Sequence, residues 1–198
     1  MGLNLEYIYG QTPLDDEERE GLLIPSITTR EELDEFEQQN IEKAIEWTLS
    51  RKFSKEKIIS EDFVCELHKK MFGDVWSWAG EFRKSDKNLG VDWIQIGSML
   101  RQLNDDCSFW IDNKTYPEEE LSIHYKHRIV KIHCFANGNG RHSRLMGDLI
   151  INHIFRKPVF TWSHASIARK GETRSKYLHA IRAADNGDIN PLIKFAKS

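Results

Sequence analysis

Apolar residues recur at every third or fourth position along most of the chain, which is the spacing of an amphipathic helix. Leu121, Tyr125, Ile129 and Ile132 give one of the clearest examples. The pattern predicts about six helices, which run from Thr29 to about residue 50, from Ser60 through Met71, from Ile96 to Ile111, from Pro117 through Ile132, from Gly140 to Pro158, and from Glu172 to Asp185.

Local signals mark several of the helix ends. Thr29–Glu32 and Thr115–Glu118 have the spacing of a capping box, in which two side chains bond the free backbone groups of a helix start. Ser60 can cap the second helix, and Gly187 follows the last long helix as a left-handed cap. These signals agree with the ends that the apolar spacing predicts.

Two stretches lack the helical spacing. Residues 1–27 predict an irregular arm. Residues 74–94 are rich in aromatic residues and contain two glycines, and they predict a loop followed by a short β-hairpin around 82–94. The expected fold is therefore all-α with one small β element.

Charge is distributed unevenly along the 198 residues, although the net charge is only −3. The first 50 residues hold 13 acidic side chains, whereas residues 121–198 hold 14 basic and 4 acidic ones. Two interpretations stay open. The two parts are either ordinary solvated surfaces, or the basic part faces a polyanion, such as nucleic acid or a nucleoside triphosphate, which the acidic part covers.

Composition argues for a cytoplasmic protein. The three cysteines, Cys65, Cys107 and Cys134, are widely spaced and form no CxxC pair, as expected in a reducing compartment. No apolar run approaches the roughly 20 residues that span a bilayer, and no signal peptide is visible. We therefore expect no membrane partner.

The segment from His133 to Arg144, HCFANGNGRHSR, carries the candidate chemistry. Gly138, Asn139 and Gly140 stand directly before a helix, where free backbone N–H groups bind anions. Arg141 and Arg144 lie one turn apart at that helix start, although the helix dipole disfavours cations there. A bound polyphosphate would explain both arginines, because guanidinium groups match phosphate oxygens.

His133 ends the preceding helix, close to this anion site. A neutral imidazole there can accept a proton from an attacking hydroxyl. Phe135 would anchor the loop in the core.

The alternative without a ligand is an ordinary interhelical turn whose arginines are solvated. His124, His127 and His133 match no zinc spacing, and no GxSxG supports a serine hydrolase.

These residues resemble the active-site motif of the Fic family, HPFx[D/E]GNGRxxR. The resemblance extends to Trp78-Ala-Gly-Glu-Phe-Arg83 and to Tyr177-Leu-His-Ala-Ile, and covers roughly residues 60–196. The first 50 residues look like the subgroup known as mobile mystery protein B. The resemblance implies an all-α, Fic-type helical domain with a small β-hairpin flap. It also divides the chain into an acidic arm and helix at 1–50, with a regulatory role, and a Fic-like catalytic core at 51–198.

The resemblance further implies transfer of AMP from ATP, with Mg²⁺, onto a Ser, Thr or Tyr hydroxyl of a target protein. His133 would be the general base, and the nucleotide would be held by Gly138, Asn139, Gly140, Arg141 and Arg144. The flap would dock the target by strand addition through Lys84, Asn88, Leu89, Gly90 and Val91. An inhibitory glutamate is common in the family, and its nearest candidate is Glu46, reaching Arg144.

Two positions depart from the motif. Cys134 replaces proline, and we expect it to be either a buried, inert thiol or a redox-sensitive one. Asn137 replaces the acid that binds Mg²⁺, and a neutral amide weakens metal affinity. Three outcomes follow: a slower AMP transferase, transfer from another phosphate-containing donor, or a nucleotide-binding regulatory module with an antitoxin-like partner. A DNA-binding role is permitted by charge, but no recognition motif supports it, so we do not expect nucleic acid as a partner.

Overall fold

The computed structural model describes residues 13–162 and 170–198. This part of the chain contains nine α-helices: Asp16–Glu20 (α1), Arg30–Leu49 (α2), Lys55–Ile58 (α3), Glu61–Phe72 (α4), Ile96–Asn113 (α5), Glu118–Ile132 (α6), Asn139–Leu149 (α7), Lys170–Asp185 (α8) and Asn190–Lys197 (α9). A short 3-10 turn, Trp93–Gln95, leads into α5, and a π-helical segment, Ile150–Ile154, continues α7. The all-α prediction is confirmed, and the six predicted helices correspond to α2 and α4–α8.

The predicted helix starts are confirmed at two positions. The Thr29 hydroxyl accepts a hydrogen bond from Glu32 N, and the Glu32 carboxylate accepts one from Thr29 N. Ser60 Oγ accepts from Phe63 N at 3.2 Å. The capping box predicted at Thr115–Glu118 was wrong. Pro117 occupies the N-cap position of α6, and its side chain has no acceptor for the free N–H groups of the helix start.

The predicted arm is partly helical. Residues 1–12 lie outside the described residues, and the rest of the arm contains α1, whose capping box joins Asp15 and Glu18. An acidic stretch favours this helix because carboxylates near the N-terminus stabilise the helix dipole. Leu14 and Ile27 on either side of α1 are buried in the same apolar cluster as Phe63 in α4. The acidic segment and the rest of the domain therefore share one core.

Two apolar clusters form the interior of the described chain. The larger one lies among α2, α4, α5, α6 and α7, and the smaller one joins α8 and α9 to α6. The helix α6 contributes to both, since Tyr125 is buried in the first cluster and Ile123 in the second. The loop that follows α6 is therefore fixed from both sides, and this is the loop that carries His133.

The β-hairpin predicted around 82–94 is not seen as strands. Within residues 13–162 and 170–198 the β-structure is limited to one isolated bridge, Leu22 with Trp76. The reason lies in the guanidinium of Arg83, which is buried and donates to the carbonyls of Ser85, Val91 and His133. These bonds replace the cross-strand pairing of a hairpin, and residues 84–91 form an irregular loop instead.

None of the helices in the described ranges has both the length and the apolar character needed to cross a membrane.

Candidate functional site

The turn between α6 and α7 brings His133 next to a glycine-rich helix start. His133 adopts the left-handed conformation, with φ 58° and ψ 60°, and ends α6. Gly138 is also left-handed, with φ 77°, and a Cβ at this position would lie 2.5 Å from the Phe72 ring. Only glycine fits this position. The backbone therefore turns sharply between His133 and α7, whose first N–H groups have no partners within the helix.

Buried hydrogen bonds hold this turn in place. The Asn139 side chain accepts from Phe135 N at 3.0 Å and donates to Phe135 O at 2.8 Å. The ring of Phe135, which is fully buried, stacks on His68 with centroids 3.7 Å apart. His142 Nε2 lies 3.0 Å from Val64 O, and burial lowers the pKa of His142 to about 4. The turn is thus tied to α4 by groups that are neutral near pH 7.

His68 in α4 fixes the backbone of Asn137. Gly80 N donates to His68 Nδ1 at 3.0 Å, so the ring proton is assigned to Nε2, which donates to Asn137 O at 3.0 Å. Burial, with a smaller contribution from His142, lowers the pKa of His68 well below its ordinary value. A neutral imidazole with one donor and one acceptor suits these two partners.

Arg141 is paired with a carboxylate from the N-terminal part of the chain. Its guanidinium lies 2.6 Å from Glu37 Oε2, and it also lies over the Phe72 ring, 4.8 Å from the centroid. Glu37 is 3% exposed, and its second oxygen accepts from Trp76 Nε1 at 2.7 Å. An almost buried carboxylate therefore forms an ion pair with one of the two arginines of the motif.

Glu46 was expected to reach Arg144, but its side chain is exposed. It lies nine residues beyond Glu37 on α2, which is about two and a half turns, so the two glutamates point to opposite faces of the helix. Helical geometry places Glu37 at the site and Glu46 away from it.

The ring of Tyr177 in α8 packs against the guanidinium of Arg144. The guanidinium lies 5.6 Å from the centroid of the ring. The Tyr177 hydroxyl is 2.5 Å from Nζ of Lys126, a lysine with no exposed surface. Burial, with repulsion from Arg144, lowers the pKa of Lys126 well below its usual range. Tyr177 thus connects the second motif arginine to the interior of α6.

His133 is 7% exposed. Burial is the main cause that lowers its pKa to about 4, and the charge of Arg83 contributes next, while a hydrogen bond with the backbone of Val130 opposes them. The ring is therefore unprotonated at neutral pH, as a general base must be. A bound polyphosphate would raise the pKa of His133 towards the working range, since nearby negative charge favours the protonated form.

The irregular loop 84–91 covers His133. A Cβ on Gly90 would lie 2.6 Å from the Cβ of His133, so the loop touches the histidine directly. Val91 N donates to Ile132 O at 3.3 Å, and Arg83 N donates to Cys134 O at 2.9 Å. Both ends of the loop are therefore attached to the segment that carries the histidine. Among the expected flap residues, Lys84, Asn88, Leu89 and Gly90 are exposed.

Charges attach the same loop to α1. The Lys87 side chain is 6% exposed, and its ammonium lies 2.6 Å from the Glu18 carboxylate and 3.1 Å from that of Asp15. Ser85 Oγ donates to Asp15 at 3.2 Å, and Trp78 Nε1 donates to the carbonyl of Glu18 at 2.9 Å. The acidic N-terminal helix therefore lies against the loop that covers His133.

The residues around Asn137 do not fit a carboxylate-bound Mg²⁺ ion. The side-chain oxygen of Asn137 belongs to a neutral amide and accepts a hydrogen bond from Gly138 N at 2.6 Å. Within the described ranges, no group of three or more His, Cys, Asp or Glu side chains is placed to hold a metal. Mg²⁺ prefers carboxylates together with phosphates.

Cys134 is 1% exposed, and burial raises its pKa well above the ordinary value. A protonated, buried thiol is unreactive, which agrees with the inert alternative for this position.

Comparison with known proteins identifies the class. Residues 58–151 match the model of the Fic/DOC family. The chain belongs to this family through that domain.

Curated relatives include the protein adenylyltransferases Fic of Drosophila grimshawi and Drosophila melanogaster, each 30% identical over 138 residues. The match covers 67% of this chain and 26% of each relative, so the chain spans about a quarter of their length. Solved structures with the same fold include Fic-1 from C. elegans, with a TM-score of 0.67 and 24% identity over 90% of this chain and 51% of that one. BepC from Bartonella tribocorum, solved with AMPPNP, has a TM-score of 0.69 and 15% identity over 92% of this chain and 97% of that one.

Sequence reasoning missed Glu37, His68 and Lys87. Glu37 carried a usable signal, because it lies between Leu33 and Ile41 on the buried face of α2. An acidic residue on an apolar face needs a cation or donors as partners. Lys87 carried no such signal, since its partners lie about 70 residues earlier in the chain.

Proposed function

We propose that this chain is a protein adenylyltransferase that moves AMP from ATP onto a hydroxyl side chain of a target protein. The observation that carries the proposal is a neutral, almost buried His133 beside the glycine-rich start of α7 with its two arginines. The adenylyltransferase relatives and the nucleotide analogue in BepC support ATP as the donor.

In this mechanism His133 accepts the proton of the target hydroxyl. The hydroxyl oxygen forms a bond to the α-phosphorus, the bond from that phosphorus to the bridging oxygen breaks, and pyrophosphate leaves. The N–H groups of Gly138, Asn139 and Gly140 would hold the phosphates, and Arg141 and Arg144 would balance their charge. Catalysis would come mainly from positioning and charge neutralisation.

The target would dock on the loop 84–91, which has exposed residues and contacts His133 through Gly90. Backbone pairing there would present a Ser, Thr or Tyr hydroxyl to the histidine without requiring a particular sequence. Lys84, Asn88, Leu89, Gly90 and Val91 are the residues that we expect to contact it.

Glu37 would restrain the reaction. Its carboxylate lies 2.6 Å from the Arg141 guanidinium, where a phosphate would otherwise bind. Binding of a triphosphate in the productive position requires that this pair opens. The N-terminal 50 residues would therefore have a regulatory role, in keeping with the expected division of the chain near residue 50.

The test is mass spectrometry of target proteins after the purified chain has been incubated with ATP, Mg²⁺ and a cell lysate. We expect an AMP-sized adduct on Ser, Thr or Tyr with the wild type, more with Glu37→Gln, and none with His133→Ala. His124→Ala, on the same helix and away from the turn, is the matched control and should label like the wild type. An adduct that persists in His133→Ala would contradict the proposed base.

The neutral amide of Asn137 favours a second candidate, a nucleotide-binding module that does not transfer AMP or that uses another phosphate-containing donor. ATP binding without an adduct in either the wild type or Glu37→Gln would support this alternative. An adduct formed only with a different nucleotide would retain His133 as the base and change the donor.

A further inference from the structure

Lys126 is a buried amine that the proposed mechanism does not use. It lies on α6, seven residues before His133, which is about two turns of helix. The residue has no exposed surface. It passes α7 at Gly147, where an added Cβ would lie 3.4 Å from the Cβ of Lys126, and its amine reaches Tyr177 of α8. Lys126 therefore contacts both of the helices that carry or support the motif arginines.

The stability of the fold does not explain a lysine at this position. In the described part of the chain, the Tyr177 hydroxyl is the only polar partner of the amine, 2.5 Å from Nζ, and no carboxylate pairs with it. Burial, followed by repulsion from Arg144, lowers the pKa of Lys126 well below its usual range. A buried amine without an acidic partner costs free energy that an apolar side chain of similar volume would not. The effect of Lys126 on Tyr177 explains the residue better.

The hydroxyl of Tyr177 lies beside the glycine-rich start of α7. A Cβ added to Gly140 would lie 3.9 Å from this oxygen. Ser143 Oγ donates to Gly140 O at 3.1 Å and is also hydrogen-bonded to Tyr177. Because each hydroxyl has one proton, Tyr177 is assigned as the donor to Ser143 and as the acceptor from Lys126. A chain of hydrogen bonds thus runs from the interior of α6 to the backbone of the first turn of α7.

The ring of the same tyrosine orients Arg144. Its centroid lies 5.6 Å from the guanidinium. Arg141 is oriented by the carboxylate of Glu37, 2.6 Å away, whereas no carboxylate within the described ranges pairs with Arg144. The direction of the Arg144 guanidinium therefore depends on Tyr177, whose hydroxyl is held by Lys126.

We propose that Lys126 is a positioning residue of the phosphate site, which acts through the Tyr177 hydroxyl to fix the guanidinium of Arg144. The inference rests on the proposed function, because it takes the phosphates of ATP as what Arg144 binds. It adds a residue outside the motif, and it makes phosphate affinity depend on a side chain that has no exposed surface.

The first measurement is the NMR signal of the Arg144 Nε–Hε group, identified by its loss in Arg144→Gln. An aromatic ring shifts the signals of groups packed against it, so this signal should differ from that of Arg101, an exposed arginine of α5. In Lys126→Met the Arg144 signal should move towards the position of the Arg101 signal, which should itself stay unchanged. This measurement needs no nucleotide.

The second measurement is calorimetric titration of ATP into the same variants, both alone and combined with Glu37→Gln. Lys126→Met and Tyr177→Phe should each weaken ATP binding about tenfold. The double variant should bind no more weakly than either single variant, because a residue that acts through another has no effect once its partner is removed.

Stability separates positioning from a structural role. The urea midpoint of Lys126→Met should be equal to or higher than that of the wild type, since methionine buries no amine. Lys131→Met, which removes an exposed lysine of the same helix, is the matched control. It should leave both the Arg144 signal and the Kd for ATP unchanged.

An Arg144 signal or a Kd that is unchanged in Lys126→Met would overturn the inference. Additive losses in the double variant, or a lower urea midpoint in Lys126→Met, would also overturn it, as would absence of ATP binding in both the wild type and Glu37→Gln. The labelling experiment tests the proposed function separately. ATP binding that depends on Lys126, without a His133-dependent adduct, supports the inference and removes the transferase. A His133-dependent adduct with binding that is independent of Lys126 removes the inference and leaves the transferase.

Discussion

The two segments that meet at His133 are held in different ways. The turn 133–144 is fixed by short hydrogen bonds among buried, neutral groups, such as those between Asn139 and Phe135. The loop 84–91 has four exposed candidate contact residues, and α1 holds it through the pair of Lys87 with Glu18. Buried neutral hydrogen bonds are insensitive to salt, whereas charge pairs near the surface are screened by it.

The two kinds of attachment suit different roles for the turn and for the loop. A turn that must stabilise charge has to be preorganised, because any reorganisation would cost part of the stabilisation. Under the proposed function, a loop that receives different targets would gain from an attachment that can open. We therefore expect damage to the turn to appear in folding, and damage to the loop in its dynamics.

The largest expected effect comes from Asn139→Ala. This change leaves the buried N–H and C=O of Phe135 without partners, and each unsatisfied group costs about 1–3 kcal/mol. We expect the free energy of unfolding to fall by about 4 kcal/mol, measured by urea denaturation. Asn88→Ala, on the exposed loop, is the control and should change it by less than about 0.5 kcal/mol. Equal losses in the two variants would contradict the contrast between turn and loop.

Acid should weaken the turn through His142. Its pKa is about 4 in the fold and 6.5 as the ordinary value. The unfolded chain therefore takes up the proton first as the pH falls from 6.5, and the stabilisation present above that pH is lost progressively towards pH 4.

The matched variant is His142→Gln, which keeps a donor for Val64 O and does not titrate. The difference in unfolding free energy between the wild type and this variant should shift against the wild type by up to about 3 kcal/mol between pH 7 and pH 4. Denaturation curves for both proteins at several pH values provide the measurement. A difference that stays constant with pH would show that His142 is not buried in its neutral form.

Glu18→Gln should loosen the loop with a smaller effect on stability. Asp15 stays as a second partner of Lys87 near the surface, so we expect a loss of about 1 kcal/mol. Hydrogen exchange of residues 84–91 should become faster, and high salt should produce part of the same change in the wild type. Lys84→Met removes an exposed lysine of the same loop and should leave the exchange rates unaltered. Unchanged exchange in Glu18→Gln would show that α1 does not hold the loop.

The smallest expected effect is on the pKa of His133 in the turn, which Lys87 in the loop influences. The charge of Lys87 is among the causes that lower the pKa of His133, after burial and Arg83. Lys87→Met should therefore raise the pKa of His133, measured from the chemical shifts of the imidazole in an NMR titration. Lys84→Met again provides the comparison, and an equal rise in both variants would mean that the effect is not specific to Lys87.

The features that depend on the spacing of residues within one segment could be predicted from the sequence. The helix α2 was predicted from the Thr29 capping box and its apolar face, and Gly187 adopts the predicted left-handed conformation, with φ 94°. The residues of the glycine-rich turn were predicted because a single short motif contains them all.

Long-range contacts could not be predicted in the same way. Glu37 and Arg141 are separated by more than 100 residues, and Lys87 and Glu18 by 69. The hairpin was expected because glycines and aromatic residues favour turns and strands, but the buried guanidinium of Arg83 binds the carbonyls of Ser85 and Val91, which a strand pair would use. Such contacts depend on which helices become neighbours, and the spacing within one segment does not contain that information.

The position of Tyr177 has a consequence for the order of events during synthesis. Its ring supports Arg144, yet α8 is held by a second core that includes Leu192 and Phe195 near the end of α9. The carbonyl of Ala196 also accepts hydrogen bonds from Thr161 and Trp162. A nascent chain whose first 150 residues have left the ribosome already contains the whole motif, but the second arginine still lacks its support. The site therefore reaches its final form only when the last helix has been made, so the support of the second arginine is completed at the end of translation of the domain.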